Sequence, residues 1–119
     1  MNIGFIGSGH ITSSIIEGIF KSKLKIKKIF ISPRNKSISK KLSKRFKKVI
    51  VSNNNQQVID SSSWVFLAVT PNVGNKILKR LRFNKSKKII SLISTININQ
   101  LEKITKNRNI SRVIPLPFI

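Results

Sequence analysis

Two glycines near the start of the chain have the spacing and context of a phosphate-binding turn. Residues 2–6 read as a short β-strand, and Gly7-Ser8-Gly9 leads directly into apolar residues at helical spacing. A glycine turn between a strand and a helix is typical of dinucleotide-binding proteins. Gly7 allows the tight turn, and Gly9 lets a pyrophosphate approach the N–H groups of the first helical turn. A turn without a ligand is the alternative, because the third position of the pattern, normally Gly or Ala, is Thr12.

The residues after the second predicted strand bear on which dinucleotide would bind. In such a site an acid at the end of that strand holds the ribose 2′-hydroxyl of NAD, whereas an arginine accommodates the 2′-phosphate of NADP. Here Ser32-Pro33-Arg34 follows the strand, and no acid occurs between Glu17 and Asp60. Because a guanidinium group pairs well with phosphate oxygens, the sequence predicts NADPH rather than NADH. The alternative is that Arg34, one of 24 basic residues, is simply solvated.

Other residue types that carry chemistry are sparse. His10 is the single histidine, and it either donates a hydrogen bond to the proposed phosphates or is an ordinary exposed residue. The chain has no cysteine, which excludes thiolate metal sites and cysteine nucleophiles. Its 3 acids are scattered and form neither a carboxylate pair nor a metal cluster. The sequence therefore predicts no metal site, and it assigns no catalytic residue.

Strand-like and helix-like segments alternate along the whole chain. Strands are predicted at residues 2–6, 28–32, 48–52, 64–69, 88–93 and 111–114. Helices are predicted around residues 11–20, 38–46, 56–60, 71–81 and 99–105. This alternation predicts an α/β fold with a Rossmann-type, doubly wound parallel sheet of about six strands, formed by residues 1–119 as one domain.

The formal charge of +21 invites a nucleic-acid interpretation, since clustered cations displace counterions from phosphate backbones. However, 22 Ile, 18 Lys and 12 Asn indicate a codon bias that enriches lysine throughout the chain. Aromatic residues are not interleaved with the basic runs, so stacking platforms are not evident. The longest apolar run, 64–69, is far too short to cross a membrane, and residues 1–6 lack the basic start of a signal peptide. These features favour a cytoplasmic protein with a dinucleotide partner, and a basic nucleic-acid-binding module remains the alternative.

Several motifs occur in the order and spacing of one enzyme family. They are Ile3-Gly4-Phe5-Ile6-Gly7-Ser8-Gly9, Ser32-Pro33-Arg34, Phe66-Leu67-Ala68-Val69-Thr70-Pro71, Ile89-Ile90-Ser91, Ile98-Asn99-Gln100-Leu101-Glu102 and Arg112-Val113-Ile114-Pro115. With these motifs the chain resembles the N-terminal cofactor domain of pyrroline-5-carboxylate reductase. The resemblance implies NAD(P)H-dependent reduction of 1-pyrroline-5-carboxylate to proline, by hydride transfer to the imine carbon, in proline biosynthesis.

The resemblance also implies roles for individual residues. The pyrophosphate would be held by Gly7, Ser8, Gly9, His10, Ile11 and Thr12. The adenosine 2′-phosphate would meet Ser32, Arg34 and Asn35, and the adenosine itself would lie beside Asn55. The ribose and nicotinamide part of the cofactor would be lined by Ala68, Val69, Thr70 and Pro71.

Four positions depart from the family pattern. His10 replaces the usual Asn, Thr70 the usual Lys, Ile93-Ser94-Thr95 a small Ala-Ala-Gly turn, and Pro115-Leu116-Pro117-Phe118 a P-N-T-P segment. A second hypothesis is therefore another small NADP-dependent imine or carbonyl reductase, in which Leu116 and Phe118 select the substrate. The family's C-terminal helical domain, which forms the dimer and supplies most contacts to the imino-acid substrate, is not among the 119 residues. We expect these residues alone to bind NADPH weakly, to catalyse little, and to form a homo-oligomer only together with that domain.

Overall fold

Strands and helices alternate through the part of the chain that the computed structural model describes, residues 1–113. The strands are β1 (Asn2–Ile6), β2 (Lys28–Ile31), β3 (Val49–Val51), β4 (Trp64–Leu67), β5 (Lys88–Ser91) and β6 (Ile110–Arg112). The helices are α1 (His10–Lys21), α2 (Lys36–Arg45), α3 (Asn55–Asp60), α4 (Pro71–Leu78) and α5 (Ile98–Thr105).

The six strands form one parallel sheet in the order β3-β2-β1-β4-β5-β6. The chain first builds outward from β1 to β3, then crosses back and builds outward from β4 to β6. This order confirms the predicted doubly wound α/β fold. The change of direction lies between β1 and β4, which are paired in register with Ile3 opposite Trp64 and Ile6 opposite Leu67. In such sheets ligands bind at the carboxyl ends of the strands at this point.

Neighbouring residues of a strand point to opposite faces of the sheet. Apolar residues occupy both sets of positions, so each face carries a hydrophobic core. Ile6 belongs to the core under α3, α4 and α5, which is completed by Val58, Leu78 and Leu101 among others. Phe5 points to the other face and belongs to the core under α1 and α2. Its ring stacks on that of Phe66 with a centroid distance of 4.7 Å. Continuous apolar strands such as β4 are what a parallel sheet buried on both faces requires.

Helix α2 confirms the predicted amphipathic helix with a basic outer face. Leu42 is buried and Ile38 is half-buried, whereas lysines 36, 40, 41 and 44 are exposed. Phe46, just after the helix, stacks on Phe20 with a centroid distance of 4.5 Å. The Arg45 guanidinium lies over the Phe46 ring and pairs with Glu17. This basic run is therefore the solvent side of a helix whose inner side packs on the sheet.

Several predicted segments are longer than the elements that form. β4 ends at Leu67 because the following residues leave the sheet to begin α4, although the Ala68 N–H still donates to the Ile6 carbonyl oxygen at 2.8 Å. β5 ends at Ser91, whose hydroxyl then accepts from the Ile93 N–H at 3.2 Å. α4 ends at Leu78, before the predicted Leu81. β6 begins at Ile110, and the predicted strand residue Ile114 lies outside the described residues, as do Leu116 and Phe118. Among residues 1–113, no helix is both long and apolar enough to span a membrane.

Candidate functional site

A cavity of about 230 Å³ opens at the carboxyl edge of the sheet, beyond the ends of β1 and β4. It is formed by the glycine turn after β1, the loop after β2 and the loop after β4. These three segments are far apart in sequence and meet only because the doubly wound sheet brings the ends of β2, β1 and β4 together. The lining residues are Gly7, Ser8, Gly9, Arg34, Asn35, Ala68, Val69, Thr70 and Val73.

Gly7 takes a conformation that other residues rarely adopt. Its φ is +105°, and a Cβ atom built there would lie 2.5 Å from the Ala68 carbonyl oxygen. The chain can therefore turn from β1 into α1 beside β4 only with glycine at this position. The Gly7 carbonyl oxygen accepts from the hydroxyl of Thr12 at 2.9 Å, and Thr12 is completely buried. Threonine at the third position of the motif thus fits the turn, because its hydroxyl ties the first turn of the helix to the glycine.

Gly9 is the N-cap residue of α1, and it has a different reason to be glycine. Its φ of −88° is open to any residue, and a built Cβ would meet no protein atom within 4 Å. The space in front of the helix is consequently open to a ligand at the point where a side chain would project. The Ser13 N–H donates to the Gly9 carbonyl oxygen at 3.1 Å, so the N–H groups before it have no partner one turn back in the helix. Such N–H groups, with the helix dipole, attract a phosphate.

The N-termini of α1, α2 and α4 differ from those of α3 and α5 in how they are capped. Their N-cap residues, Gly9, Asn35 and Thr70, make no side-chain hydrogen bond to the helix. In α3 and α5 the N-cap residues Asn54 and Asn97 accept from the backbone N–H three residues later. Gly9, Asn35 and Thr70 all line the cavity. The helices that meet at the cavity therefore begin without a side-chain cap from their own N-cap residues, which suits them to an anionic ligand.

Ser32 is placed differently from a phosphate ligand at the surface. It is only 1% exposed. Its hydroxyl accepts from the Gly7 N–H at 2.9 Å and donates to the Asn55 Oδ1 atom at 2.5 Å. Ser32 thus joins the glycine turn to the first residue of α3. In this position it fixes the turn and the Asn55 side chain.

Arg34 and Asn35 are exposed at the rim of the cavity. Asn35 has a φ of 57°, a left-handed conformation that asparagine tolerates better than most residues. The Arg34 carbonyl oxygen accepts from the hydroxyls of Ser8 and Ser39. Ser39 was not among the residues predicted from sequence, although a polar residue beside Ile38 on the inner side of α2 was a possible signal. It is 2% exposed and also donates to the Ser32 carbonyl oxygen at 2.9 Å.

The remaining predicted residues divide between the cavity and its surroundings. Ala68, Val69 and Thr70 line it, and Pro71 occupies the first turn of α4, where a missing N–H costs nothing. Val73, which sequence reasoning missed, completes this wall one turn into α4. Ile11 is exposed on the first turn of α1. His10 lines a neighbouring hollow of about 610 Å³ between α1 and α2, together with Ser13, Ile38, Lys41, Leu42, Lys44 and Arg45.

The charges around the cavity favour an anion. None of its described lining residues is acidic, and Arg34 stands at its rim. Of the 3 acids, Glu17 pairs with Arg45, Asp60 accepts from the Gln56 side chain, and Glu102 lies on α5. No group of three metal-ligating side chains occurs among residues 1–113. The arrangement can hold a diphosphate on helix N-termini and a further phosphate beside Arg34.

Comparisons with known proteins agree with this arrangement. The chain is 31% identical over 122 residues to pyrroline-5-carboxylate reductase 3 of Danio rerio, a match that covers 97% of this chain and 41% of that protein. The solved structure of 1-pyrroline-5-carboxylate reductase from Streptococcus pyogenes has a TM-score of 0.78 at 27% identity, covering 97% of this chain and 42% of the other. Pyrroline carboxylate reductase from Plasmodium falciparum, solved with NADP bound, shares the fold with a TM-score of 0.75 at 22% identity over 97% and 42% of the two chains.

These proteins confirm the resemblance to pyrroline-5-carboxylate reductases that the motifs indicate. The chain spans about two fifths of the length of the relatives it matches. A family model described as "NADP oxidoreductase coenzyme F420-dependent" matches residues 2–97, from β1 to the N-cap of α5. That match takes in the glycine turn and the loops after β2 and β4, and the chain therefore belongs to this NADP oxidoreductase family.

Proposed function

We propose that this chain binds NADPH and forms the cofactor-binding part of a reductase that acts on 1-pyrroline-5-carboxylate. The observation that carries the proposal is the cavity at the β1–β4 switch point, where three uncapped helix N-termini meet beside Arg34. The similarity to pyrroline-5-carboxylate reductases, which are named for this substrate, supports the choice of reaction.

The pyrophosphate is assigned to the N-terminus of α1. Its oxygens would accept from the N–H groups of His10, Ile11 and Thr12, and the open space at Gly9 would let them approach. The adenosine would extend over the end of β2 toward Asn55, whose side chain is held by Ser32. Ala68, Val69, Thr70 and Pro71 would line the other half of the cofactor, toward the ribose and nicotinamide.

NADPH is proposed over NADH because of the loop after β2. Its 2′-phosphate would lie beside Arg34 and the uncapped start of α2, where a guanidinium and a helix N-terminus both favour negative charge. No carboxylate lines the described part of the cavity to bind the 2′-hydroxyl of NADH. The relative from Plasmodium falciparum was solved with NADP bound, which agrees with this choice.

When bound, NADPH would supply a hydride to the imine carbon of the substrate ring, and the ring nitrogen would take up a proton, which gives proline and NADP⁺. The chain's own residues bind and orient the cofactor. A cofactor domain alone does not enclose a substrate or exclude water from a hydride transfer. Since the chain corresponds to about two fifths of its relatives, we expect the 119 residues to bind NADPH with little or no turnover of 1-pyrroline-5-carboxylate.

The proposal is tested by titrating the chain with NADPH, NADH and adenosine 2′,5′-bisphosphate by calorimetry. Trp64 begins β4 at the opposite edge of the sheet, so the fluorescence of NADPH itself is a better optical signal than that of tryptophan. We expect NADPH to bind at least about tenfold more tightly than NADH, because a hydrogen-bonded charge pair contributes about 1.5–3 kcal/mol. Arg34→Ala should remove most of this preference. Arg80→Ala, an exposed arginine just after the C-terminal end of α4, is the matched loss of charge and should leave the preference unchanged.

A duplex DNA titration separates this function from that of a nucleic-acid-binding module. If DNA raises the melting temperature with a steep salt dependence while NADPH does nothing at millimolar concentration, the reductase proposal is wrong. Equal affinity for NADPH and NADH in the unmodified chain would refute the assignment of the 2′-phosphate to Arg34 but not dinucleotide binding.

A further inference from the structure

Two buried serine hydroxyls converge on one backbone carbonyl next to the cavity. The Ser8 hydroxyl, in the glycine turn, donates to the carbonyl oxygen of Arg34. The Ser39 hydroxyl, in α2, lies 3.2 Å from the same oxygen and 2.9 Å from the Ser32 carbonyl oxygen. Ser8 and Ser39 are 3% and 2% exposed. This carbonyl has a preferred orientation, since turning it away would leave the buried Ser8 hydroxyl without this acceptor and the Ser39 hydroxyl with the Ser32 carbonyl oxygen alone.

These hydrogen bonds hold the loop after β2, which carries Arg34 at the rim of the cavity. The Arg34 carbonyl and the Asn35 N–H belong to one planar trans peptide and point in opposite directions. With the carbonyl turned toward Ser8 and Ser39, the Asn35 N–H is turned away from them. A rotation of this peptide would exchange the two groups. It would also break the hydrogen bond from Ser8 and so release the loop that carries Arg34.

The same peptide joins Arg34 to the residue that begins α2 as its N-cap. Asn35 follows in the left-handed conformation at φ 57°, and α2 starts at the next residue. The two serine hydroxyls therefore bond to the short link between β2 and α2 that carries the Arg34 side chain. Ser39 is not among the residues that line the cavity, so it can influence a bound ligand only through the loop that it holds.

We propose that Ser8 and Ser39 are positioning residues that fix the Arg34–Asn35 peptide and thereby set the preference of the site for a 2′-phosphate. The inference rests on the proposed function, because it presupposes that a 2′-phosphate lies beside Arg34. Ser8 and Ser39 come from different βα units, so their shared acceptor couples the pyrophosphate turn to the 2′-phosphate loop.

The test compares Ser39→Ala with Ser43→Ala, one turn later in the same helix. The Ser43 hydroxyl donates only to the Lys40 carbonyl oxygen of its own helix, at 3.0 Å. Affinities for NADPH and NADH are measured by calorimetry, and melting temperatures are recorded for each variant. We expect Ser39→Ala to weaken NADPH about threefold to tenfold, the effect of one lost hydrogen bond, and NADH by less than about twofold. Ser43→Ala should change neither affinity, and Ser39→Thr, which keeps the hydroxyl, should retain the preference for NADPH.

A double-mutant cycle shows whether Ser39 acts through Arg34. In the Arg34→Ala background, Ser39→Ala should no longer change the ratio of the NADPH and NADH affinities. Should Ser39→Ala fail to fold, Ser8→Ala removes the other donor to the same carbonyl, and its ratio is expected to move in the same direction.

Two results would overturn the inference while dinucleotide binding by the unmodified chain still holds. One is an equal loss of NADPH and NADH affinity in Ser39→Ala, which indicates a general structural role. The other is an unchanged NADPH preference in Ser39→Ala while Arg34→Ala abolishes it, which leaves the proposed function standing and refutes only the role of the serines. If the unmodified chain binds neither dinucleotide, the proposed function fails and this inference fails with it.

Discussion

Replacing Gly7, Gly9 and Gly18 one at a time by alanine separates the demands of folding from those of ligand binding. The three glycines lie within twelve residues of one another, and each variant adds the same methyl group. In Gly9→Ala the new Cβ meets no protein atom within 4 Å, and the backbone angles are ordinary for alanine. The lower entropy of the unfolded chain contributes about 0.4–1 kcal/mol of stability, while alanine is a poorer N-cap than glycine by up to about 1 kcal/mol. The free energy of unfolding should therefore change by less than about 1 kcal/mol.

The Gly9→Ala substitution should change the affinity for dinucleotides far more than it changes the free energy of unfolding. The methyl group would occupy the open space in front of α1, so that a pyrophosphate could no longer reach all the N–H groups of the first turn. Loss of one hydrogen bond to a charged group costs about 1.5–3 kcal/mol, or about 10- to 150-fold in affinity. NADPH and NADH should weaken equally, because they share the pyrophosphate.

Gly7→Ala should show the opposite pattern. At φ +105° an alanine costs about 1–3 kcal/mol in backbone strain. Its Cβ would also lie 2.5 Å from the Ala68 carbonyl oxygen, a backbone atom that cannot move without disturbing the end of β4. We expect a loss of about 3 kcal/mol or more, a large part of the ordinary stability of a small domain.

Gly18→Ala is the control within the same helix. Gly18 is exposed, and a Cβ added there would meet nothing within 4 Å. The free energy of unfolding of the variant should therefore rise by about 0.5–1 kcal/mol, and its NADPH affinity should be unchanged. Urea unfolding and calorimetric titration of all three variants provide both quantities. These roles of the glycines are contradicted if Gly9→Ala binds NADPH within about twofold of the unmodified chain, or if Gly7→Ala is as stable as the unmodified chain.

Three further substitutions test the hydrogen bonds of Ser32, the cap of α5 and the hydrophobic core. Ser32→Ala should lower the free energy of unfolding by about 1–3 kcal/mol, because the buried Gly7 N–H loses its acceptor. The variant should also bind NADPH and NADH more weakly. Unfolding in urea with unchanged stability would contradict this. Asn97→Ala removes the capping box of α5 and should lower the free energy of unfolding by about 0.5–2 kcal/mol, while the NADPH affinity is unchanged. A parallel loss of affinity would show that the caps of distant helices matter to the site. Leu101→Ala, at a fully buried position, should cost about 2–5 kcal/mol in the same unfolding experiment, and a cost under about 1 kcal/mol would mean that α5 is not packed as described.

Much of the fold could be predicted from the sequence because its signals are local. The apolar run from Trp64 to Val69 and the repeat of Ile38, Leu42 and Phe46 mark a buried strand and an amphipathic helix without reference to any other segment. Element ends were predicted less well, since they depend on tertiary contacts. β4 ends at Leu67 because the chain must leave the sheet for α4, and no feature of Ala68-Val69 alone requires this.

The candidate site was predictable only where one residue's own properties reveal its role. Gly7 is such a residue, because a positive φ requires glycine. The role proposed for Arg34 rests instead on the sequence around it, in which no acid occurs between Glu17 and Asp60. Ser39 is not such a residue, since a serine in a helix usually bonds to its own helix or to water, as Ser43 does to Lys40. Its contact with the Arg34 carbonyl oxygen exists only because α2 packs back against the loop that precedes it. The direction of one peptide thus depends on hydroxyls from two βα units, and this is the kind of interaction that spacing along a sequence does not encode.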